Sequence, residues 1–349
     1  MTPAQTPSTL SDPPPAPRQP ALPGASERLV ASLAADIARV EALLHERVDH
    51  DDPFIAQASG HLLQAGGKRF RPMLTILAAH VGSGSDEPVN ADVIAAAAAV
   101  ELTHLASLYH DDVMDEAELR RGAPSANARY DNSTAILVGD LLFGTASSIV
   151  ADLGPEAVKI QADTFVRLCA GQIRDDRPCP PGIDPIDYYL QVLADKTGVL
   201  IATAARYGAM FSGCDAATVD LLRTYGERVG VAFQLADDLL DITAVDGSSG
   251  KEPGTDLREG VDTLPVLYVR AARDRRDARL LELLDADLRD PALHREALEL
   301  LRANPALERA AAHTRDYALS AQHLLDPLGD NDATRALRAL AAGVVDRAV

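Results

Sequence analysis

From Glu27 onward, apolar residues recur at three- and four-residue spacing almost to the end of the chain. That period places them on one stripe of an α-helix. Ser26 offers an N-cap to the first such run, ERLVASLAADIARVEALLHERV, since its hydroxyl can accept from an unpaired N–H of the first turn. Asn90–Tyr109, Ser133–Val150, Pro155–Ile173 and Ala216–Ile242 read the same way. Short stretches rich in Gly, Pro or Asp separate them at 82–88, 176–185 and 246–256, where helices stop. No run alternates with period two for long enough to demand a strand, and no fixed repeat or linker divides the helical part. The pattern predicts one all-α domain over residues 26–349, with the amphipathic helices beyond about Arg270 acting as scaffold. Residues 1–25, rich in Pro, Ala and Ser, cannot bury enough apolar surface to order themselves and read as a disordered tail.

Composition narrows the function. Of 349 residues, 47% are hydrophobic but only 4% aromatic, with no Trp, so the core is built from Ala and Leu, the strongest helix formers. The formal charge of −19 repels nucleic acid and anionic lipid, which argues against a nucleic-acid partner. Cys169, Cys179 and Cys214 show no metal-ligand spacing and read as reduced thiols of a cytoplasmic protein. The N-terminus has no basic start or apolar run, so no secretory signal is expected. Nor is a transmembrane segment, since no stretch approaches the roughly 18 apolar residues that a span needs.

Two carboxylate clusters then stand out because they interrupt apolar helices. His110-Asp111-Asp112-Val113-Met114-Asp115 follows VIAAAAAVELTHLASLY, and Asp237-Asp238-Leu239-Leu240-Asp241 lies within VGVAFQLADDLLDI. Asp111 and Asp115 are one turn apart and project from one face with Asp112 beside them; the second cluster repeats the spacing. One such cluster would read as a solvated helix face. Two of them, each at the end of a buried helix, would repel and be desolvated unless a divalent cation relieved both costs. Oxygen ligands without His or Cys point to Mg²⁺, which typically joins carboxylates to substrate phosphates.

The counter-charges come in groups. Gly66-Gly67-Lys68-Arg69-Phe70-Arg71-Pro72 sets three cations after a glycine pair and before a helix start expected at Pro72. Arg120-Arg121 follows the first aspartate cluster, and Lys196-Thr197-Gly198 and Gly250-Lys251 lie further on. Arg offers a bidentate fork to phosphate and Lys a point charge. Together they describe a cavity for two diphosphates, one held through metal and one held directly.

At this point the residues resemble the trans-prenyl diphosphate synthase (polyprenyl synthetase) family over nearly the whole chain after Ser26. The resemblance rests on GGKRFRP, HDDVMDEAELRRG, ADKTG, FQLADDLLD and GKEPGTDLREGVDTLP. It implies a single helical bundle of the isoprenoid synthase type around a central apolar cavity, working as a homodimer with about three Mg²⁺ per active site. Asp111, Asp115 and Asp237 would be direct Mg²⁺ ligands, with Asp112, Asp238 and Asp241 supporting them. Lys68, Arg71, His104 and Arg121 would hold isopentenyl diphosphate. Arg120, Lys196 and Lys251 would contact the allylic diphosphate, and Thr197 and Gln234 would set oxygen dipoles near the developing carbocation. Many members carry Lys where this chain has Val261, and Arg258 is the candidate replacement.

The implied reaction breaks an allylic C–O bond, alkylates isopentenyl diphosphate with the resulting cation and then loses a proton, repeatedly, to give an all-trans polyprenyl diphosphate. A class I terpene cyclase also uses a DDxxD cluster but needs one diphosphate site and a second motif mixing Asn, Ser or Thr, and Glu. A non-catalytic subunit of a heteromeric synthase would have lost aspartates. One helical turn rises about 5.4 Å, close to one isoprene unit. Ser107, Ala106, Thr103 and Ala99, all small, therefore set successive floors before Asp111. No aromatic stands there, so a product of about C30 to C50 is expected, of the kind used for quinone side chains, with transient membrane contact for its release. The alternative is a short-chain synthase making C15 to C20.

Overall fold

The computed structural model describes residues 22–84, 87–244 and 253–345. The described helices begin with α1 Glu27–Val48, α2 Pro53–Gln64, α3 Phe70–Ser83 and α4 Ala91–Met114. After the hairpin-like pair Leu119–Arg120 and Ala123–Pro124 come α5 Ala126–Arg129, α6 Asn132–Asp152, α7 Pro155–Asp175 and α8 Pro185–Leu193. A π-turn, Ala194–Gly198, joins α8 to α9 Val199–Phe211, which leads to α10 Ala216–Thr243. The rest is α11 Thr255–Glu259, α12 Leu264–Ala272, α13 Ala278–Leu284, α14 Pro291–Arg302, α15 Pro305–Leu324 and α16 Asp332–Val345.

The caps fall where side-chain oxygens occur. Ser26, Asn90, Asp131 and Asp215 each accept the N–H three residues on, at 2.8–3.1 Å, opening α1, α4, α6 and α10. One start differs from expectation: α3 begins at Phe70, so Pro72 sits inside the first turn, where its missing N–H leaves no intrahelical bond unmade.

Helix α4 runs through the middle, packed against α3, α6 and α9, while α10 packs against α9 and α15. Ala96 to Ala99 are wholly buried along α4. Short side chains let neighbouring helices approach closely, which explains how a core poor in aromatics fills its space. At Gly208 of α9 even a methyl would sit 2.0 Å from the Thr75 carbonyl of α3. The buried apolar cluster runs from Leu29 to Val345.

Three expectations need adjustment. Residues 1–21 of the expected tail lie outside the described residues, whereas Leu22 and Ala25 pack against the core and Gly24 accepts from Arg335 Nε at 3.2 Å. The ordered part thus begins before Ser26, because apolar Leu22 finds a surface to cover. The C-terminal helices are more than scaffold, since α16 turns Leu340, Gly343 and Val344 toward the central cavity. Finally, α4 and α6 are each long and apolar enough to cross a membrane by length and composition. Alanine and glycine keep these runs apolar without bulk. In α4 67% of the most apolar stretch is buried, and in α6 39%.

Candidate active site

A cavity of about 2280 Å³ opens among α3, α4, α6, α7, α10 and α16. Asp111 of α4 and Asp237 of α10 line it from different helices. Burial pushes the Asp111 carboxyl up to about 6, against the pull of the Lys196 charge and with Asp115 adding to the rise. Asp115 ends α4, its side chain 61% exposed and 3.8 Å from Arg120 Nη2.

The other three aspartates turn elsewhere. Asp112 is fully buried, takes Arg120 Nε at 2.6 Å and the Ala126 N–H at 3.4 Å, and so ties the following loop to α4. Asp238 is buried, accepts from the Tyr189 hydroxyl and from Gln234 Nε2 at 3.3 Å, and is pushed up to about 7 by burial. Asp241 accepts the N–H groups of Thr255 and Asp256 at 3.1 Å each, opening α11. Each cluster therefore sends its first aspartate to the cavity and its second into the protein, because adjacent helical residues point about 100° apart.

Among the described residues no three His, Cys, Asp or Glu side chains close into a metal cage. Oxygen donors on separate walls fit Mg²⁺, which keeps waters and completes its shell from substrate phosphates. Asp111 and Asp237 bring such donors to the cavity from different helices, whereas Asp112, Asp238 and Asp241 bond to side chains and N–H groups away from it.

The expected partners of isopentenyl diphosphate share this cavity. Lys68, Arg71, His104 and Arg121 all line the cavity. Burial pushes the Arg71 guanidinium down to about 10, with Glu101 opposing and Arg121 reinforcing, and its Nε has no hydrogen-bond partner. His104 is held well below its ordinary value by burial and then by Arg71 and Arg121, so it is neutral at pH 7. Arg121 adopts a left-handed φ of 56° and donates to the carbonyls of Leu62, at 3.2 Å, and Gly66. Arg69, the remaining cation of the basic run, also borders the cavity but is buried against Glu41 and Glu101. Glu101, 2% exposed, is the carboxylate that makes this concentration of positive charge tolerable. It stands in an alanine-rich run with no motif to mark it.

Arg120, Lys196, Thr197 and Gln234 also line the cavity. Lys196 Nζ reaches Asp175 Oδ2 at 2.6 Å, and despite burial Asp175 and Asp111 hold its ammonium above the ordinary value. Thr197 Oγ1 donates to Gln234 Oε1 at 3.4 Å. Asp175 had no visible signal beyond lying at the end of α7. Lys251 lies outside the described residues, and neither Val261 nor Arg258 lines the cavity.

Away from the charges the walls are apolar, with Phe143 and Phe165 rings 4.2 Å apart between α6 and α7. Of the four small residues of α4, Ser107 lines the cavity, whereas Ala99, Thr103 and Ala106 are fully buried. Thr103 donates to the Ala99 carbonyl and accepts from Gln161 Nε2 of α7 at 2.7 Å.

Residues 52–301 match the family described as polyprenyl synthetase. The nonaprenyl diphosphate synthase of Mycobacterium tuberculosis is 49% identical over 91% of this chain and 94% of its own length. The solved geranylgeranyl pyrophosphate synthase of Corynebacterium glutamicum, complexed with calcium and isoprenyl diphosphate, superposes with a TM-score of 0.83 at 42% identity, over 93% of this chain and 98% of that one. The decaprenyl diphosphate synthase of Rhodobacter capsulatus gives 0.82 at 34% identity, over 93% and 99%.

Proposed function

This chain belongs to the polyprenyl synthetase family, and from that premise we propose that it is a Mg²⁺-dependent prenyltransferase adding isopentenyl diphosphate units to an allylic diphosphate. The observation that carries the reading is one cavity lined by both carboxylates and a surplus of cations. Asp111 and Asp237 line it together with Lys196 and Arg120, and so do Lys68, Arg71, His104 and Arg121, enough cations for a second diphosphate.

Bound Mg²⁺, held by Asp111, Asp115 and Asp237, would neutralise charge on the allylic diphosphate as its C–O bond breaks. Lys196 and Arg120 bind the same diphosphate and orient its leaving oxygen. Arg71 and Arg121 grip isopentenyl diphosphate, while neutral His104 offers a hydrogen bond there without further charge. The hydroxyl of Thr197 and amide oxygen of Gln234 turn dipoles toward the allylic cation. Phe143, Phe165 and Leu168 line the apolar part of the cavity and exclude water from it. No side chain stands out as the base, so the proton lost after alkylation passes to the departed diphosphate.

Product length is read as about C30 to C50, supported by the nonaprenyl and decaprenyl relatives and by the small Ser107 on the wall. Exposed Leu137 and Leu141 on α6, with Val158 and Val166 on α7, offer apolar surface suited to a second copy of the chain. A cytoplasmic homodimer is the assembly proposed. Incubating the purified protein with Mg²⁺, isopentenyl diphosphate and an allylic primer, then weighing the products, tests the reading. Polyprenyl diphosphates are expected; a cyclised hydrocarbon or no elongation refutes the function, and a halt at C15 or C20 refutes only the length.

A further inference from the structure

Consecutive residues Lys196 and Thr197 both line the cavity, and they do so from the π-turn at Ala194–Gly198. A π-turn is rare and takes in one extra residue, so something must hold it against relaxing to a regular helix. Asp195, the residue before Lys196, is 4% exposed inside this turn. Its Oδ1 takes Arg167 Nε at 2.7 Å, and its Oδ2 takes Arg174 Nη1 at 2.7 Å and Gln191 Nε2 at 3.0 Å. Arg167 and Arg174 lie two turns apart on α7, so the carboxylate straps the π-turn along that helix.

Strap and substrate-facing group are linked in register. Arg174 and Asp175 of α7 pair with Asp195 and Lys196 of the π-turn, at 2.7 and 2.6 Å respectively. The charges alternate in opposite order, so a slip by one residue would set like charges together. Contact is also close in the backbone: a Cβ at Gly171 of α7 would lie 2.5 Å from the Lys196 nitrogen. With three donors satisfied, Asp195 does not compete with substrate phosphate for Lys196.

We propose that Asp195 is a positioning residue, which through Arg167, Arg174 and Gln191 locks the π-turn and so aims Lys196 and Thr197 at the allylic diphosphate. The inference rests on the reading above that these two residues meet that substrate.

The test compares wild type with Asp195→Asn, Arg174→Gln and Glu227→Gln, varying each substrate separately in steady-state assays and recording melting temperatures. Glu227 packs beside Gly198, but its carboxylate binds Arg167 Nη2 at 2.8 Å and Arg223 Nη1 at 3.7 Å rather than Asp195 or Lys196, so its near-isosteric variant reports the effect of loosening the network alone. Asp195→Asn should raise KM for the allylic primer by about ten- to a hundredfold, because misplacing a substrate-orienting group by about 1 Å costs that much. KM for isopentenyl diphosphate should stay within about twofold, well short of that loss. Arg174→Gln should move the same constant in the same direction, and Glu227→Gln should lower only the melting temperature. Should Asp195→Asn fail to fold, Arg174→Gln decides, since the Arg174 side chain is 46% exposed. Equal changes in both KM values, or a change in melting temperature alone, overturns the proposal. A wild type without turnover overturns the functional reading and this inference with it; an active wild type with an unchanged Arg174→Gln variant overturns this inference only.

Discussion

Asp111 places a charge where burial resists it, and that conflict can be measured without substrate. In the metal-free protein its carboxyl is pushed from 3.8 to about 6. A shift of about two units corresponds to roughly 3 kcal/mol against the ionised form, an upper bound for a group that keeps some solvent. The sign follows from linkage. A folded pKa above the unfolded one means that the protein binds the proton more tightly when folded, so the associated stability is fully present below about pH 4 and is lost as pH rises through about 6. Asp111→Asn removes the ionisation and keeps the size. In EDTA at pH 7.5 the variant should therefore melt higher than wild type, by about 2–5 °C for a chain of this length. The gap should close as pH falls below about 4, where the wild-type carboxyl is protonated in both states. Magnesium with a diphosphate should raise the wild-type melting temperature more than the variant's, and turnover of the variant should fall at least about a hundredfold. Scanning fluorimetry over pH, with and without metal, makes the measurement. A variant that melts no higher than wild type in EDTA at pH 7.5 would refute the burial argument, and near-normal turnover would refute the metal role.

Other outcomes follow from the same geometry. Arg121→Ala or Lys68→Ala should raise KM for isopentenyl diphosphate more than for the primer, and Lys196→Ala the reverse; equal effects in initial-rate assays would undo the division of the cations. Ser107→Phe, on the cavity wall, should shorten the product to about C15 to C20 while primer consumption continues, read by mass spectrometry. Ala106→Tyr, at a fully buried position, should instead overpack α4 and lower stability by about 1–3 kcal/mol, which thermal unfolding would register. Asp112→Ala leaves Arg120 and the Ala126 N–H without their acceptor, so it should destabilise by about 2–4 kcal/mol; an unchanged urea midpoint would contradict that anchoring role.

Much of the fold is legible in the sequence. Helical period alone located α1, α4, α6, α7 and α10 to within a few residues, because each carries its own apolar stripe and either a capping side chain or, in α7, a proline at its start. The two DDxxD spacings and the basic runs marked carboxylates and cations, several of which the fold brings to one cavity. What the periodicity could not supply was the rotation of each helix against its neighbours. A spacing says which residues share a face; only packing says what that face meets. So Asp111 and Asp237 line the cavity while Asp112 and Asp238 turn to Arg120 and Tyr189, and Ser107 lines it while Ala106 packs inside. The partners that tune the charges were equally hidden. Glu101 steadies Arg69 across 32 residues, and Asp175 holds Lys196 across 21. Such pairs form between segments that meet only after the chain has folded, and their energy comes from the low dielectric created there. Helices and the kinds of side chain available were thus written locally, whereas the direction of each side chain waited on tertiary contacts.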